Sequence, residues 1–285
     1  VSTGKTPRSV RSLLHAKEEV LTAAEKRVTA VLLANYPSAA LTSISQLAGH
    51  AGVSDPTVHR LVVKLGFDGY PEFQKALLDE VDERMNSPLA LLEAAAYAQH
   101  MTDIEQTVLC SAAVALGKTT EQASPPDFER AVGLLADTGK AVYCCGGRAS
   151  GFIASHLATH LALLRPQVRL IAPTLELAHE ALIDLHAGDV LVVYDYRRYQ
   201  DTVIAFARAA HERGARVVVL TDTWRSPIAQ FADAVLASFV QAAAPFDTKV
   251  PALAQTEALI TALVQRLPGE AKARLRQIEA LRDRY

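Results

Sequence analysis

Cysteine is scarce in this chain: three in 285 residues, Cys110 and the adjacent pair Cys144–Cys145, with no Cys-x-x-Cys spacing. That excludes a disulfide framework and argues against a thiolate zinc site. No apolar run approaches the roughly eighteen residues needed to cross a bilayer. No secretory pattern is seen in the first residues, so no membrane association is expected and the expected location is cytoplasmic. Charge of one sign is missing as well, with 29 Lys+Arg against 31 Asp+Glu and a net charge of −2. Also absent are a repeat of 20–50 residues, a Gly-x-Gly-x-x-Gly dinucleotide loop and a His-Glu-x-x-His zinc motif. No cofactor and no metal are therefore expected.

What remains is the composition of a folded soluble protein, 50% hydrophobic and 21% charged, long enough for one large domain or two ordinary ones. The charge is unevenly spread. Through Tyr70 there are eight Lys/Arg against five acids, a local excess of +3 that leaves the remainder acidic. A mildly basic head can approach phosphates.

The first third reads as short helices over Ala23–Tyr36, Ile44–Ala51, Asp55–Leu65 and Pro71–Met85. A further Ala- and Leu-rich helical stretch spans Leu89–Leu116, with an interruption near Met101–Asp103. Gly117–Pro126 is polar and Pro-rich, the best linker candidate. Beyond it, apolar runs at Ala141–Cys145, Val168–Ile171, Val190–Tyr194, Val217–Thr221 and Ala234–Ala237 alternate with helical stretches at Ser150–Leu164, Leu175–His186, Thr202–Arg213 and Pro227–Phe231. Short continuous apolar runs are the mark of parallel strands covered on both faces. The expected fold class is therefore α followed by α/β. The expected division is a helical head over 1–86, a helical connection over 87–126, an α/β domain over 127–268 and a C-terminal helix over 269–285. In that last helix Leu275, Ile278 and Leu281 form one apolar side.

The segment Ser43–Gly66 carries most chemistry. Gly52 suits a left-handed turn ending one helix, Val53 plugs the core, Ser54 is an N-cap and Pro56 fits a first helical turn. Val58, Leu61, Val62 and Leu65 share one face and point inward. Thr57, Arg60 and Lys64 are expected to project from the opposite face with His59 on its flank. Together with Ser54 and Asp55 at the helix start, they form the candidate contact set for double-stranded DNA. In that set Arg60 pairs with guanine or grips a phosphate, and Lys64 is a phosphate contact. The alternative is a helix pair with a merely solvated outer face.

Gly52-Val-Ser54, Thr57-Val, Arg60, Lys64-Leu-Gly-Phe67 and Gly69-Tyr-Pro-Glu-Phe73 make the stretch Leu21–Asp82 resemble the N-terminal helix-turn-helix domain of RpiR-family regulators. The resemblance implies operator binding.

In the second half, Cys145-Gly-Gly-Arg-Ala-Ser-Gly151 places backbone N–H groups at a helix start, where an anion is favoured. Tyr194-Asp-Tyr-Arg-Arg-Tyr-Gln200 and Thr221-Asp-Thr-Trp-Arg-Ser-Pro227 bring further polar groups to the same carboxyl edge of the sheet. The span Phe128–Leu267 resembles the sugar-isomerase (SIS) domain. That resemblance implies a five-stranded parallel sheet, phosphosugar binding and oligomerisation, here as a homodimer or homotetramer.

Two ligand loops depart from the family pattern. Gly146 and Ser150 match Gly-x-Gly-x-Ser, but Arg148 replaces the second glycine. None of the signature residues of Ser-x-Ser-Gly-x-Thr survives over Tyr194–Tyr199. The expected effector is a small anionic metabolite, phosphosugar or organic acid. Its candidate contacts are Gly146, Gly147, Arg148, Ser150, Tyr194, Tyr196, Arg197, Arg198 and Thr221. Tyr196 and Tyr199 filling the pocket, or facing a partner subunit, is the alternative.

His156 and His160 have a chelating i, i+4 spacing without a third ligand. Cys144–Cys145 read as packing, and Trp224 as ligand wall or interface. The competing readings are a phosphosugar isomerase and a ligand-free assembly module. For the isomerase, Glu176, Glu180, Glu212 and Glu257 are the acids at hand, but no motif marks a base.

Overall fold

The computed structural model describes residues 10–85, 103–171, 179–243 and 246–282. The chain divides into two compact units, Val1–Leu91 and Leu92–Tyr285.

The described residues of the first unit form helices and their connecting turns, without a strand. α1 (Val10–Ala16), α2 (Ala23–Ala34), α3 (Ile44–Ala51), α4 (Asp55–Leu65) and α5 (Tyr70–Met85) surround one apolar core. Val28, Leu32, Leu47, Val58, Leu61, Val62, Phe73 and Leu77 are buried in it. Two helices begin with reciprocal caps. The Thr22 hydroxyl accepts the Glu25 N–H while the Glu25 carboxylate accepts the Thr22 N–H, and Ser43 and Gln46 do the same for α3. Each arrangement satisfies two otherwise orphaned donors.

The second unit contains a five-stranded, wholly parallel sheet in the order β2-β1-β3-β4-β5. The strands are β1 (Val142–Gly146), β2 (Val168–Leu170), β3 (Val190–Tyr194), β4 (Arg216–Asp222) and β5 (Ala234–Ser238). Helices α6 (Ile104–Glu121), α7 (Pro125–Ala136), α8 (Gly151–Leu164), α9 (His179–Asp184), α10 (Asp201–Glu212), α11 (Val250–Arg266) and α12 (Pro268–Arg282) accompany it. Val142, Cys144, Val192, Tyr194, Val218 and Leu220 pack with α7, α8 and α11 on one face. Tyr143, Cys145, Leu191, Val193, Val217 and Val219 pack with α10 on the other. Both faces are covered, which is why the strands read as unbroken apolar runs. From β1 the chain passes to β2 on one side and to β3 on the other, so the strand order reverses between β1 and β3. Gly146 pairs there with Tyr194, and open α/β sheets bind ligands at such a point.

One expectation needs correction. Gly117–Glu121 are not a linker but the last turns of α6, which packs on α11 and β5. Thr119 holds this end in place: it is buried, and its hydroxyl accepts the Phe239 N–H at 2.9 Å. On α12 the sides facing the domain are Ala271, which is buried, and Arg274, whose Nε donates to the Ala162 carbonyl at 2.7 Å. Leu275 and Leu281 are exposed. Of the other sequence readings, the stretch 89–103 lies largely, and 175–178 wholly, outside the described residues.

Candidate functional site

In the helical unit, α3 ends at Gly52 in the left-handed region (φ 61°, ψ 41°), with its N–H bonded back to the α3 carbonyls. Val53 then donates to Ala48 O at 3.0 Å and α4 begins at Asp55. The Asp55 carboxylate accepts the Ser45 hydroxyl at 2.6 Å, so this acid ties α3 to α4. Val58, Leu61, Val62 and Leu65 are buried, as the periodicity predicts.

The outer face differs from the expectation. Exposed residues on α4 are Pro56, His59, Arg60 and Val63, spaced i, i+3, i+4, i+7, with Ser54 exposed just before the helix. Thr57 is buried and its hydroxyl accepts from the Arg60 guanidinium at 3.1 Å, while sharing a 3.1 Å bond with Ser54 Oγ. Lys64 does not project: its ammonium sits 2.7 Å from the buried Glu25 carboxylate and near Val20 O. At 100° per residue, Thr57 and Lys64 lie only about 90–110° from the centre of the buried stripe, on the flank and not opposite it. Burial pushes the Glu25 carboxyl up, but its bonds with Lys64 and Thr22 outweigh burial and hold it below the usual range.

At the carboxyl edge of the sheet, Gly146 and Gly147 permit a close approach. A Cβ on Gly146 would meet the Ser150–Gly151 backbone at 3.0–3.1 Å, and one on Gly147 would meet Gln200 Oε1 at 2.5 Å. The donors of this loop are spent inside the chain. Gly147 N–H and the Ser150 hydroxyl both donate to Tyr194 O, at 3.2 and 2.7 Å. Arg148 N–H donates to Gln200 Oε1 at 2.6 Å.

The loop after β3 is equally committed. Tyr194 and Tyr196 are buried, and the Tyr194 hydroxyl meets Thr256 Oγ1 at 2.8 Å. Arg197 is not a free clamp: its Nε and Nη2 each lie 2.5 Å from a different oxygen of Asp247, in a buried bidentate pair. The fully buried Asp222 accepts the Arg197 N–H, the Tyr199 hydroxyl at 2.7 Å and the Trp224 N–H at 3.0 Å. Burial pushes its carboxyl up to about 6, against the lowering effect of these donors. Thr221 is buried, with its hydroxyl accepting the Ser226 N–H. Arg148 and Arg198 are exposed, Arg198 in the left-handed region at φ 63°.

Sequence reasoning brought Gly146–Ser150, Tyr194–Arg198 and Thr221 to one edge correctly. It missed Gln200, Asp222 and Asp247, which consume their donors. Only Gln200 and Asp222, each inside a polar cluster already singled out, carried a signal.

Other singled-out residues are structural in place. Trp224 is buried in the core, with the Arg197 guanidinium 5.6 Å from its ring centroid. Burial pushes the Cys144 thiol up to about 12 and raises that of Cys145 further. His160 Nδ1 donates to the His156 carbonyl at 2.8 Å. Glu180, Glu212 and Glu257 are exposed, and Glu176 lies outside the described residues. Among the described residues no helix is long and apolar enough to cross a membrane.

Comparison with known proteins agrees with both units. Residues 9–84 match the helix-turn-helix domain of the rpiR family and residues 134–262 match the SIS domain. The HTH-type transcriptional regulator HexR of Pseudomonas aeruginosa is 26% identical over 271 residues, covering 93% of each chain. An uncharacterized HTH-type transcriptional regulator of Clostridium perfringens is 23% identical over 256 residues, 88% of this chain and 90% of that one. Among solved structures, the sugar isomerase domain of an RpiR transcription factor from Sphaerobacter thermophilus is 26% identical. It covers 63% of this chain and 99% of that one, with a TM-score of 0.57. The Vibrio vulnificus NanR protein, solved with ManNAc-6P, is 21% identical over 95% of this chain and 97% of that one, with a TM-score of 0.55, and shares the fold.

A helix-turn-helix unit followed by a SIS domain is the plan of a transcription regulator and not of an isomerase, and the matched relatives are named as regulators. The chain thus carries a helix-turn-helix domain of the rpiR-family type and a SIS domain, the pair of domains on which its likeness to these regulators rests.

Proposed function

We propose that the chain binds a double-stranded operator through the exposed face of α4 as a homodimer or homotetramer, and that a small anionic metabolite at the carboxyl edge of its SIS domain controls that binding. The observation that carries the reading is Arg60: exposed, yet held by the Thr57 hydroxyl at 3.1 Å beside Ser54, Pro56, His59 and Val63. A guanidinium already oriented from its own helix loses little rotamer freedom on meeting a guanine or a phosphate. Val63 and Pro56 add apolar surface suited to a thymine methyl. For the effector, Arg148 and Arg198 are the exposed cations flanking the loop that follows β1. Ligand can act only by favouring one arrangement of the DNA-binding units over another.

One observation favours the second reading, assembly without effector: the Gly147, Arg148 and Ser150 donors are already bonded within the chain.

A gel-shift series on the DNA upstream of the protein's own gene tests the proposal. The wild type should shift this duplex in preference to a scrambled one, and Arg60→Ala should bind it about tenfold or more weakly. Equal binding by the two proteins would sink it. Adding phosphosugar and organic-acid panels to the same lanes separates the effector reading from the assembly reading.

A further inference from the structure

Lys249, the residue before α11, presents an ammonium that is half-buried and lies 5.1 Å from the centroid of the Tyr196 ring. Among the described residues this ammonium has no ion pair and no hydrogen bond. The carboxylates around it are committed elsewhere. Asp247 is taken up by both nitrogens of the Arg197 fork, and Asp222 by Tyr199, Arg197 and Trp224. Its other charged neighbours, Arg197 and Arg198, are cations. Burial accordingly pulls the Lys249 pKa down from the usual lysine range. The Lys249 ammonium keeps contact with solvent while lacking an acceptor among the described residues, so an anion arriving from solution can reach it.

A second group beside it is also unsatisfied. The Tyr196 hydroxyl is fully buried and meets no partner in hydrogen-bonding geometry, with the Ser238 hydroxyl as its polar neighbour. One ring thus carries a solitary cation over its face and an unused donor at its tip. A donor-rich, acceptor-poor corner is complementary to a group that only accepts. The positive end of the seventeen-residue α11 faces the same way in charge.

We propose that Lys249 and the Tyr196 hydroxyl form an oxyanion subsite at the start of α11, with Arg198 at its rim, which holds the acidic group of the effector. The inference rests on the reading of this domain as effector-binding and assigns to it a cation outside the two family loops. It also answers why the loop after β1 can spend its donors internally: the anion is anchored across the edge.

Trp224, the single tryptophan of the chain, reports on this corner through its contact with Arg197. The test is a fluorescence titration of the full chain, without DNA, using inorganic phosphate, glucose 6-phosphate and gluconate in separate arms. These arms distinguish a phosphate ester from a carboxylate. The wild type should respond saturably to one of them. Lys249→Met should weaken that response at least about tenfold and Tyr196→Phe several-fold, since each removes one charge-assisted or anion-directed bond. Tyr196→Phe loses no partner on folding, so its melting temperature should not fall, which keeps its titration interpretable. Arg60→Ala should titrate as wild type. If a probe binds and both variants respond like the wild type, the subsite is wrong while effector sensing stands. If no probe moves the wild type, the subsite and the sensing reading fall together.

Discussion

Single side chains in the helical unit divide between reading and holding, and Lys64 marks the division. Its ammonium neutralises a Glu25 carboxylate that is only 3% exposed. Lys64→Met should therefore cost stability, about 1–2 kcal/mol once the partial exposure of the lysine is discounted. The same variant should leave the salt dependence of DNA binding unchanged, because no phosphate contact is lost. Urea unfolding and binding isotherms at several salt concentrations check the two halves of that statement. Asp222 supplies a second residue-scale prediction. Its carboxyl is raised to about 6 by burial, so the folded state holds the proton more tightly than the unfolded one. Ionisation thus subtracts from stability above about pH 6, and the contribution grows as pH falls from about 7 towards 4. Comparing urea midpoints of wild type and Asp222→Asn across that window should show a wild-type gain on acidification that the variant lacks.

Among the elements, the α3–α4 turn depends on one backbone conformation. Gly52 has positive φ, and an added Cβ there meets nothing within 4 Å. The cost of Gly52→Ala is consequently backbone strain alone, about 1 kcal/mol, readable as a lowered melting temperature with the apolar core untouched. Much at this scale could be read from residue order. The apolar run Val190–Tyr194 is β3, and Gly52 and Pro56 bracket the start of α4 as their chemistry requires, whereas Ser54 holds the N-cap position without capping, its hydroxyl bonded to that of Thr57. What escaped was set by partners distant in sequence. Polar Gly117–Glu121 continue α6 because Thr119 meets Phe239 on the strand side of the domain. Arg197 reads as an effector contact because its partner Asp247, fifty residues on, is invisible to a local reading. Thr57 and Lys64 were misplaced for a simpler reason: a flank position of a helix was taken as its outer face, and α2 supplies the carboxylate that claims the flank.

As a whole, the molecule joins a helix-turn-helix unit of the rpiR-family type to a SIS domain. Reading a two-fold operator requires two copies of α4 about one helical turn of DNA apart. Light scattering on the free protein should accordingly give a dimer or tetramer mass, and a monomer at micromolar concentration would count against it. The central claim is that α4 meets DNA through Arg60. The most direct test is the slope of log K against log salt for wild type, Arg60→Ala and Lys64→Met on one operator duplex. The account predicts weaker operator binding for Arg60→Ala alone, with Lys64→Met parallel to wild type. Operator affinity and slope unaltered by Arg60→Ala, or a slope lowered by Lys64→Met instead, would contradict it.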